Sequence, residues 1–298
     1  MEELPLSIVI TTYNREFELR RCINSIYEQK YSNYEIIVVD DHSPNKYERE
    51  ITKDFPTVRY FYQSQNRGPG VARNRGIKEA NYNYIVIMDD DDVFTSDAFE
   101  KINHFIQCNP DINVPVINFL CSSTIYRDSS KFNNYTFEQY LCGNVIGDTT
   151  QIINKKVFLE NGYKFPDSKI GAELLLWYQI AIDYGYIIVN EVVVNVLTDS
   201  LERLTNFNRQ VVYSKLFAQY QVDILKSFEN NLIEIGRKDI VISRYRGAIT
   251  YFLLSGDRIF ALKNLLKSLK YSNKQLLFFP LFLFPKSIVT KLFLKYRG

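Results

Sequence analysis

Four consecutive aspartates, Asp89, Asp90, Asp91 and Asp92, follow directly on the apolar run at residues 84–88. A run of that length reads as a buried strand. Carboxylates on four adjacent residues repel one another, so folding alone does not favour them there. A hard divalent cation resolves the repulsion, because Mg²⁺, Mn²⁺ and Ca²⁺ seek clustered carboxylate oxygens. In open α/β sheets ligands bind beyond the carboxyl ends of the strands, which is where this run falls. The competing reading is a solvated acidic loop in which Asp92 or Ser96 caps the next helix. A second acidic pair, Asp40-Asp41, closes another apolar run at residues 34–39, and Glu173 stands at the start of a helical pattern. Acids beyond neighbouring strands can converge on one crevice, as a nucleotide–metal site requires. One accepts hydrogen bonds from a base, and the other holds the ribose and a cation that bridges phosphates.

The elements that must position these acids follow from periodicity. Residues 6–10 read as a first strand, ending at Thr11-Thr12-Tyr13-Asn14, and residues 15–29 carry apolar positions at helical spacing. Strands follow at 34–39, 58–63 and 84–88, with helices at 46–55 and 71–80 and a glycine-punctuated loop at 66–70. Strands alternating with helices over the first ninety residues argue for a parallel sheet with crossover helices. Beyond the aspartates the pattern loosens. Residues 97–108 look helical, 114–126 extended, 149–154 a strand, 155–161 a short helix, 171–184 a helix and 186–197 a strand, with 137–141 open. From about residue 206 the chain is helical in character. A boundary near 205 divides a catalytic domain, 1–205, from a helical region, 206–298.

At 298 residues the chain can bury a large core, and 46% hydrophobic with 23% charged residues excludes wholesale disorder. A net charge of +2 gives no general preference for nucleic acid. Its distribution is uneven. From Arg258 onward there are nine basic residues and no acidic one, leaving 27 basic against 34 acidic residues elsewhere, a net of −7. Four widely spaced cysteines lack CxxC pairing, which argues against structural zinc and for reduced, buried thiols. Glu2 and Glu3 do not suit a signal peptide, and no apolar run reaches the ~18 residues that span a bilayer.

Four motifs in order carry a resemblance. They are Ser7-Ile8-Val9-Ile10-Thr11-Thr12-Tyr13-Asn14-Arg15, Glu35-Ile36-Ile37-Val38-Val39-Asp40-Asp41-His42-Ser43, Asn66-Arg67-Gly68 with Ala72-Arg73-Asn74-Arg75-Gly76, and the aspartate run. Together they resemble the family 2 glycosyltransferases of the GT-A fold over roughly residues 5–200. The resemblance implies a Rossmann-like, nucleotide-binding mixed sheet flanked by helices, here with a helical C-terminal extension. It also implies roles. Thr12, Tyr13, Asn14 and Arg15 line the nucleotide pocket, Asp40 meets the uracil edge of a UDP-sugar, and Arg73 positions the nucleotide. Asp89 faces the ribose and joins Asp91, the direct ligand, in holding Mn²⁺ or Mg²⁺, while Asp92 supports the acceptor side or the metal shell. Asp90 lines the donor site without a task of its own, so its replacement is expected to be the best tolerated of the four.

The chemistry needs a base to take the acceptor hydroxyl proton and a cation to stabilise the leaving diphosphate. Relatives carry Glu-Asp shortly before Leu-Trp. Aligned on Leu176-Trp177, Glu173 takes the place of the catalytic Asp, and Ala172 replaces the usual Glu. Trp177 is assigned to the acceptor side, with core packing as its competing use. Arg203 is placed near the diphosphate, and Asp199 stands where many relatives have a His. His42 reads as a turn residue and His104 as a helix-face residue.

Lys263, Lys267, Lys270 and Lys274 recur at three- or four-residue spacing with leucines between them, and residues 275–285 are strongly apolar. This pattern suits an anionic membrane surface, with packing on the catalytic domain or a second subunit as the alternative. The resulting expectation is an inverting, metal-dependent hexosyltransferase. It would use a nucleotide sugar and a glycan or polyprenyl-diphosphate-linked acceptor. The enzyme would be cytoplasmic and peripheral at the inner face of the plasma membrane, serving bacterial surface polysaccharide (O-antigen or capsule) assembly. The alternatives are a sugar nucleotidyltransferase, for which a glycine-rich basic phosphate loop is missing near the first strand, and a catalytically silent sugar-nucleotide-binding protein.

Overall fold

The computed structural model describes residues 2–197 and 207–297. Its contacts gather into two compact units, residues 1–200 and 201–298, and the boundary expected near 205 lies outside the described residues.

The first unit opens with β1 (Leu6–Thr12), α1 (Glu16–Tyr27), β2 (Tyr34–Asp40), α2 (Glu48–Asp54), β3 (Val58–Tyr62), α3 (Pro69–Glu79) and β4 (Tyr84–Asp89). It continues with β5 (Val93–Phe94), α4 (Ala98–Cys108), β6 (Val116–Cys121), β7 (Ile125–Tyr126), β8 (Phe132–Tyr135), α5 (Phe137–Tyr140) and β9 (Val145–Ile146). It closes with β10 (Thr149–Asn154), α6 (Lys155–Glu160), α7 (Leu174–Asp183) and β11 (Tyr186–Asn195). The main sheet runs β3-β2-β1-β4-β10-β6-β11-β5, with β8 alongside β11, while β7 and β9 pair separately. β1, β2, β3 and β4 are parallel, and β10 runs antiparallel to both β4 and β6, so the sheet is mixed.

Helices cover both faces, which is why the central strands are continuous apolar runs rather than alternating ones. Ile8 and Ile10 of β1 join Leu19, Ile23 and Ile26 of α1 and Phe99 of α4 in one cluster. Val9 points the other way, into a cluster with Ala72 and Ile77 of α3 and Leu176 and Ile180 of α7. The period of two along the strand thus feeds two cores. Gly76 sets the spacing on the second face: a Cβ there would fall 2.2 Å from Val9 Cγ1. Only a residue without a side chain lets α3 lie this close to β1.

Several expectations are corrected. Residues 114–126 divide into β6 and β7 around a turn, and the short strands β8 and β9 carry no periodic signal. The helix expected from 171 begins at Leu174, because Gly171 (φ 86°) and Ala172 (φ 70°) are both left-handed and cannot enter a right-handed helix. Asp97 holds the position before α4, so neither Asp92 nor Ser96 caps it. Cys22 and Cys121 are buried, but Cys108 and Cys142 are exposed thiols.

The second unit contains α8 (Phe207–Val212), α9 (Ser214–Glu234), α10 (Lys238–Ser255), α11 (Arg258–Ser268), a 3₁₀ segment (Asn273–Leu283) and α12 (Lys286–Arg297), with no strand among its described residues. α10 supplies much of its core through Ala248, Ile249, Phe252 and Leu254, against Ala218 of α9 and Ala261 and Leu265 of α11. The Glu229 carboxylate accepts from the Tyr245 and Tyr271 hydroxyls and ties α9 to α10 and to the chain after α11.

Candidate active site

Parallel register aligns the carboxyl ends of three strands. Thr12 of β1 lies opposite Asp40 of β2, and Thr11 opposite Asp89 of β4. The strand order reverses at β1: the chain passes outward to β2 and β3, then returns to β4 on the other side. Crevices at such switch points are where α/β sheets take ligands.

A buried polar layer underlies this edge. Asp40 has no exposed surface. Its Oδ1 accepts from the Ser43 amide at 2.7 Å and its Oδ2 from the Tyr60 hydroxyl at 2.6 Å. Burial and Asp40 both push the Tyr60 hydroxyl well above its ordinary range, so it stays a donor. The Thr12 and Ser43 hydroxyls each lie 3.0 Å from the Tyr47 hydroxyl. Asp41 accepts from Gln63 Nε2, the Arg67 amide and the Gly68 amide, which fixes the loop entering α3; burial nonetheless pushes its carboxyl up. Asp40 and Thr12, expected to line the nucleotide pocket, thus lie in the polar layer beneath the edge. Both are enclosed, and their polar atoms are engaged within the chain. Tyr13 and Asn14 are exposed at the rim, with Asn14 left-handed (φ 56°) and its amide donating to Ser43 Oγ at 2.8 Å. Exposed His42 is left-handed too (φ 70°) and packs on Tyr62, in keeping with a turn.

The four aspartates differ sharply. Asp89 keeps 53% of its side chain exposed, and Asp90 keeps 4%. Arg15 Nη1 reaches Asp90 Oδ1 at 2.9 Å and Asp91 Oδ2 at 3.0 Å, so Arg15 serves the acidic run from the start of α1. Asp90 Oδ2 is buried without a hydrogen bond. Burial pushes Asp90 up to about 7 against the opposing pull of Arg15. Asp92 Oδ1 accepts from the Leu197 amide at 3.0 Å, and burial, helped by Asp89 and Asp91, also pushes it up to about 7. Asp90, expected to line the donor site and to be the most dispensable of the four, is the interior one. Its enclosure follows from its place one residue past β4, turned in toward Thr12 and Arg15.

Arg73 is the connector. From α3 its Nη2 reaches Asp89 Oδ1 at 2.8 Å, and its Nη1 reaches Glu173 Oε1 at 2.5 Å. The guanidinium lies over the Phe165 ring and keeps 12% of its side chain exposed. Burial would lower it, but Asp89 and Glu173 outweigh that and hold it further above its already high range. Glu173 itself precedes the first turn of α7, aimed by the left-handed Gly171-Ala172 pair. A Cβ on Gly171 would come within 2.8 Å of Glu173 Oε2. Two acids 84 positions apart are thus brought to one guanidinium.

Sequence reasoning missed Arg21, whose Nη2 donates to the Asp91 carbonyl at 3.1 Å, and Tyr60. The only signal for Arg21 was a basic residue on the helix that also carries Arg15. Trp177 is partly buried and packs edge-on to Phe165 at 5.5 Å beside the second core, the packing use set against its acceptor-side assignment. Arg203 and Asp199 lie outside the described residues.

Among the described residues no three His, Cys, Asp or Glu side chains are gathered to hold a metal ion. The donor chemistry nevertheless fits a hard cation. Asp89 offers an exposed carboxylate and Asp91 one that is 16% exposed beside Arg15, the ligand type that Mg²⁺ takes one or two at a time when phosphates complete its shell.

The family model described as glycosyl transferase family 2 matches residues 7–156. A glycosyltransferase of Haemophilus influenzae is 31% identical over 163 residues, 53% of this chain, and this chain spans about half of that protein (55%). The GalNAc(5)-diNAcBac-PP-undecaprenol beta-1,3-glucosyltransferase of Campylobacter jejuni is 26% identical over 307 residues, covering 96% of each chain. The solved structure of S. aureus TarS 1–349 in complex with UDP-GlcNAc aligns with a TM-score of 0.62 at 15% identity, over 88% of this chain and 89% of that one. This last likeness shows the fold, the GT-A arrangement that the sequence resemblance implies.

Proposed function

The chain belongs to glycosyl transferase family 2, and from that premise we propose an inverting, metal-dependent hexosyltransferase acting from a UDP-sugar onto a hydroxyl of a lipid-linked glycan. The observation that carries this reading is the Arg73 guanidinium, which brings Glu173 to Asp89 at the carboxyl edge of the sheet. In the reaction, Glu173 Oε2 takes the proton of the acceptor hydroxyl. The acceptor oxygen bonds to the anomeric carbon from the face opposite the diphosphate. The bond from that carbon to the diphosphate oxygen breaks, and its electron pair leaves with UDP. Arg73 holds Glu173 through Oε1, which keeps Oε2 turned to the acceptor. Tyr13, Asn14 and Arg15 border the donor, and Asp92 borders the acceptor. A divalent cation bound by Asp89 and Asp91 would stabilise the charge gathering on the diphosphate.

The lipid-linked acceptor, and with it a peripheral position at the inner face of the plasma membrane, is supported by the end-to-end match to the C. jejuni enzyme, whose name specifies an undecaprenol-linked substrate. Among the described residues no helix is long and apolar enough to cross a membrane. We assign catalysis to residues 1–205 and attachment to 206–298, within bacterial surface polysaccharide assembly.

Glu173→Gln tests the base. Turnover, measured as UDP release with membrane lipid extract as acceptor, should fall by about 10²–10⁴-fold while UDP-sugar affinity stays within a few-fold. Retained turnover sinks the assignment. Hydrolysis of a UDP-sugar with Mn²⁺ that survives Asp91→Ala would sink the metal reading.

A further inference from the structure

α11 buries one stripe, Ala261, Asn264, Leu265 and Ser268, at the spacing of a single helix face. A second apolar stripe, Ile259, Leu262 and Leu266, recurs at three- and four-residue spacing on another face and stays open, with Ile259 71% and Leu266 61% exposed. Lys263, Lys267 and Lys270 border it, all exposed. The 3₁₀ segment repeats the arrangement. Three residues per turn send its side chains in three directions. Phe278, Leu281 and Phe282 pack on the core that also holds α11, while Leu277 (79% exposed) and Leu283 (76%) point away from it. Pro280 within this segment and Pro285 just beyond it cannot donate a backbone N–H, which disfavours an α-helix that would gather the apolar residues on one buried side.

An apolar surface of this extent marks an interaction site. Its charge chooses the partner. All nine charged residues from Arg258 onward are basic, whereas the cores of protein–protein interfaces are depleted in lysine. Leucine and phenylalanine set among lysines, without acids, match a bilayer whose headgroups are anionic and whose acyl chains begin a few ångströms below.

We propose that the outer face of α11 and the 3₁₀ segment form a membrane-insertion surface for anionic lipid. Leu277, Leu283, Ile259 and Leu266 enter the acyl boundary, and Lys263, Lys267 and Lys270 hold the phosphate headgroups. The surface lies in the interface and does not span the bilayer. The inference rests on the reading of a lipid-linked acceptor and deepens it by naming the residues that bring the enzyme to that acceptor.

The test is co-sedimentation of the full chain with vesicles of phosphatidylcholine, with and without roughly one-third phosphatidylglycerol. Binding is expected only with the anionic lipid and should weaken as salt rises. The double variant Leu277→Asp, Leu283→Asp should lose at least about tenfold in binding. The triple variant Lys263→Gln, Lys267→Gln, Lys270→Gln should lose on the order of 100-fold. These side chains are exposed, so circular dichroism should be unchanged. Equal binding to neutral vesicles, or none to either, overturns the proposal. So does a concentration-dependent dimer that the double Asp variant dissolves, which would place a second copy on the patch. UDP release with a soluble glycan acceptor separates the two readings. It should survive in both variants, while release with lipid extract falls. Vesicle binding by a protein that shows no UDP release with any acceptor leaves this surface standing and removes the catalytic reading instead.

Discussion

Gly76→Ala should be felt both in the core and at the active edge. The added methyl would fall 2.2 Å from Val9 Cγ1 and 3.2 Å from Val9 Cγ2, and a β-branched side chain stiff at χ1 does not readily turn both methyls away. Ordinary carbon contacts begin near 3.5 Å, so α3 must retreat from β1 by roughly an ångström. Overpacking of this kind costs about 1–3 kcal/mol, and the fully buried Val9 puts the expected loss at the upper end. For a unit of this size that is a fall in Tm of roughly 5–10 °C. Arg73 lies one turn earlier on the same helix, so the retreat also draws its guanidinium from Asp89 and Glu173. The assay is urea unfolding of the wild type, Gly76→Ala, Val9→Ala and the double variant, with UDP release measured on each. Val9→Ala alone loses two buried methyl groups and should cost about 1–3 kcal/mol. In the double variant the methyl added at residue 76 takes up part of the space left by the two methyls removed from Val9, giving a coupling energy of roughly 1–3 kcal/mol and partial return of activity. Additive losses, or Gly76→Ala within about 0.5 kcal/mol of wild type, would refute the close-packing account of how Arg73 is placed.

Arg73→Lys keeps the charge but replaces a fork with a point donor that cannot span two carboxylates; kcat/KM should fall by roughly 10–100-fold by UDP release, with the fold intact by circular dichroism. Asp90 is raised in the folded state to about 7, above its unfolded value near 4, so its contribution is fully present below about pH 4 and is lost as pH rises toward 7. Metal-free protein should therefore lose stability over that window in urea titrations, and Asp90→Asn should flatten the slope. Glu35 has the opposite sign. Bonds from Ser7, the Asn81 amide and Arg59 outweigh burial and hold its carboxyl below the usual range. Its contribution is present above pH 4–5 and lost as pH falls through the lowered value, and Glu35→Gln should remove about 1–3 kcal/mol at neutral pH.

The parallel strands β1, β2 and β4 were legible because their signal is local. A run such as Tyr84-Ile85-Val86-Ile87-Met88 has few other uses, and the acids that follow it mark where it ends. The helices α1 and α4 were legible for the same reason, through apolar residues at helical spacing. β8 and β9 were not, since two to four residues hold no period and their pairing comes from partners elsewhere. The start of α7 was misread because helical propensity says nothing of two successive left-handed residues, Gly171 and Ala172, which only their surroundings enforce.

By itself the sequence determined the chemistry at hand: a carboxylate run at a strand end, a second acid pair on a neighbouring strand, a lone Glu before a helix, and a basic, apolar tail. The tertiary structure decided which of those acids meets solvent. Asp40 and Asp90 look as available as Asp89 on paper, yet Tyr60 and Ser43 enclose the first, and Thr12 and Arg15 the second. It also decided that Arg73 joins Asp89 to Glu173 across 84 positions of chain. Exposure and ion pairing are sums over neighbours in space, and most of those neighbours lie far away in the chain.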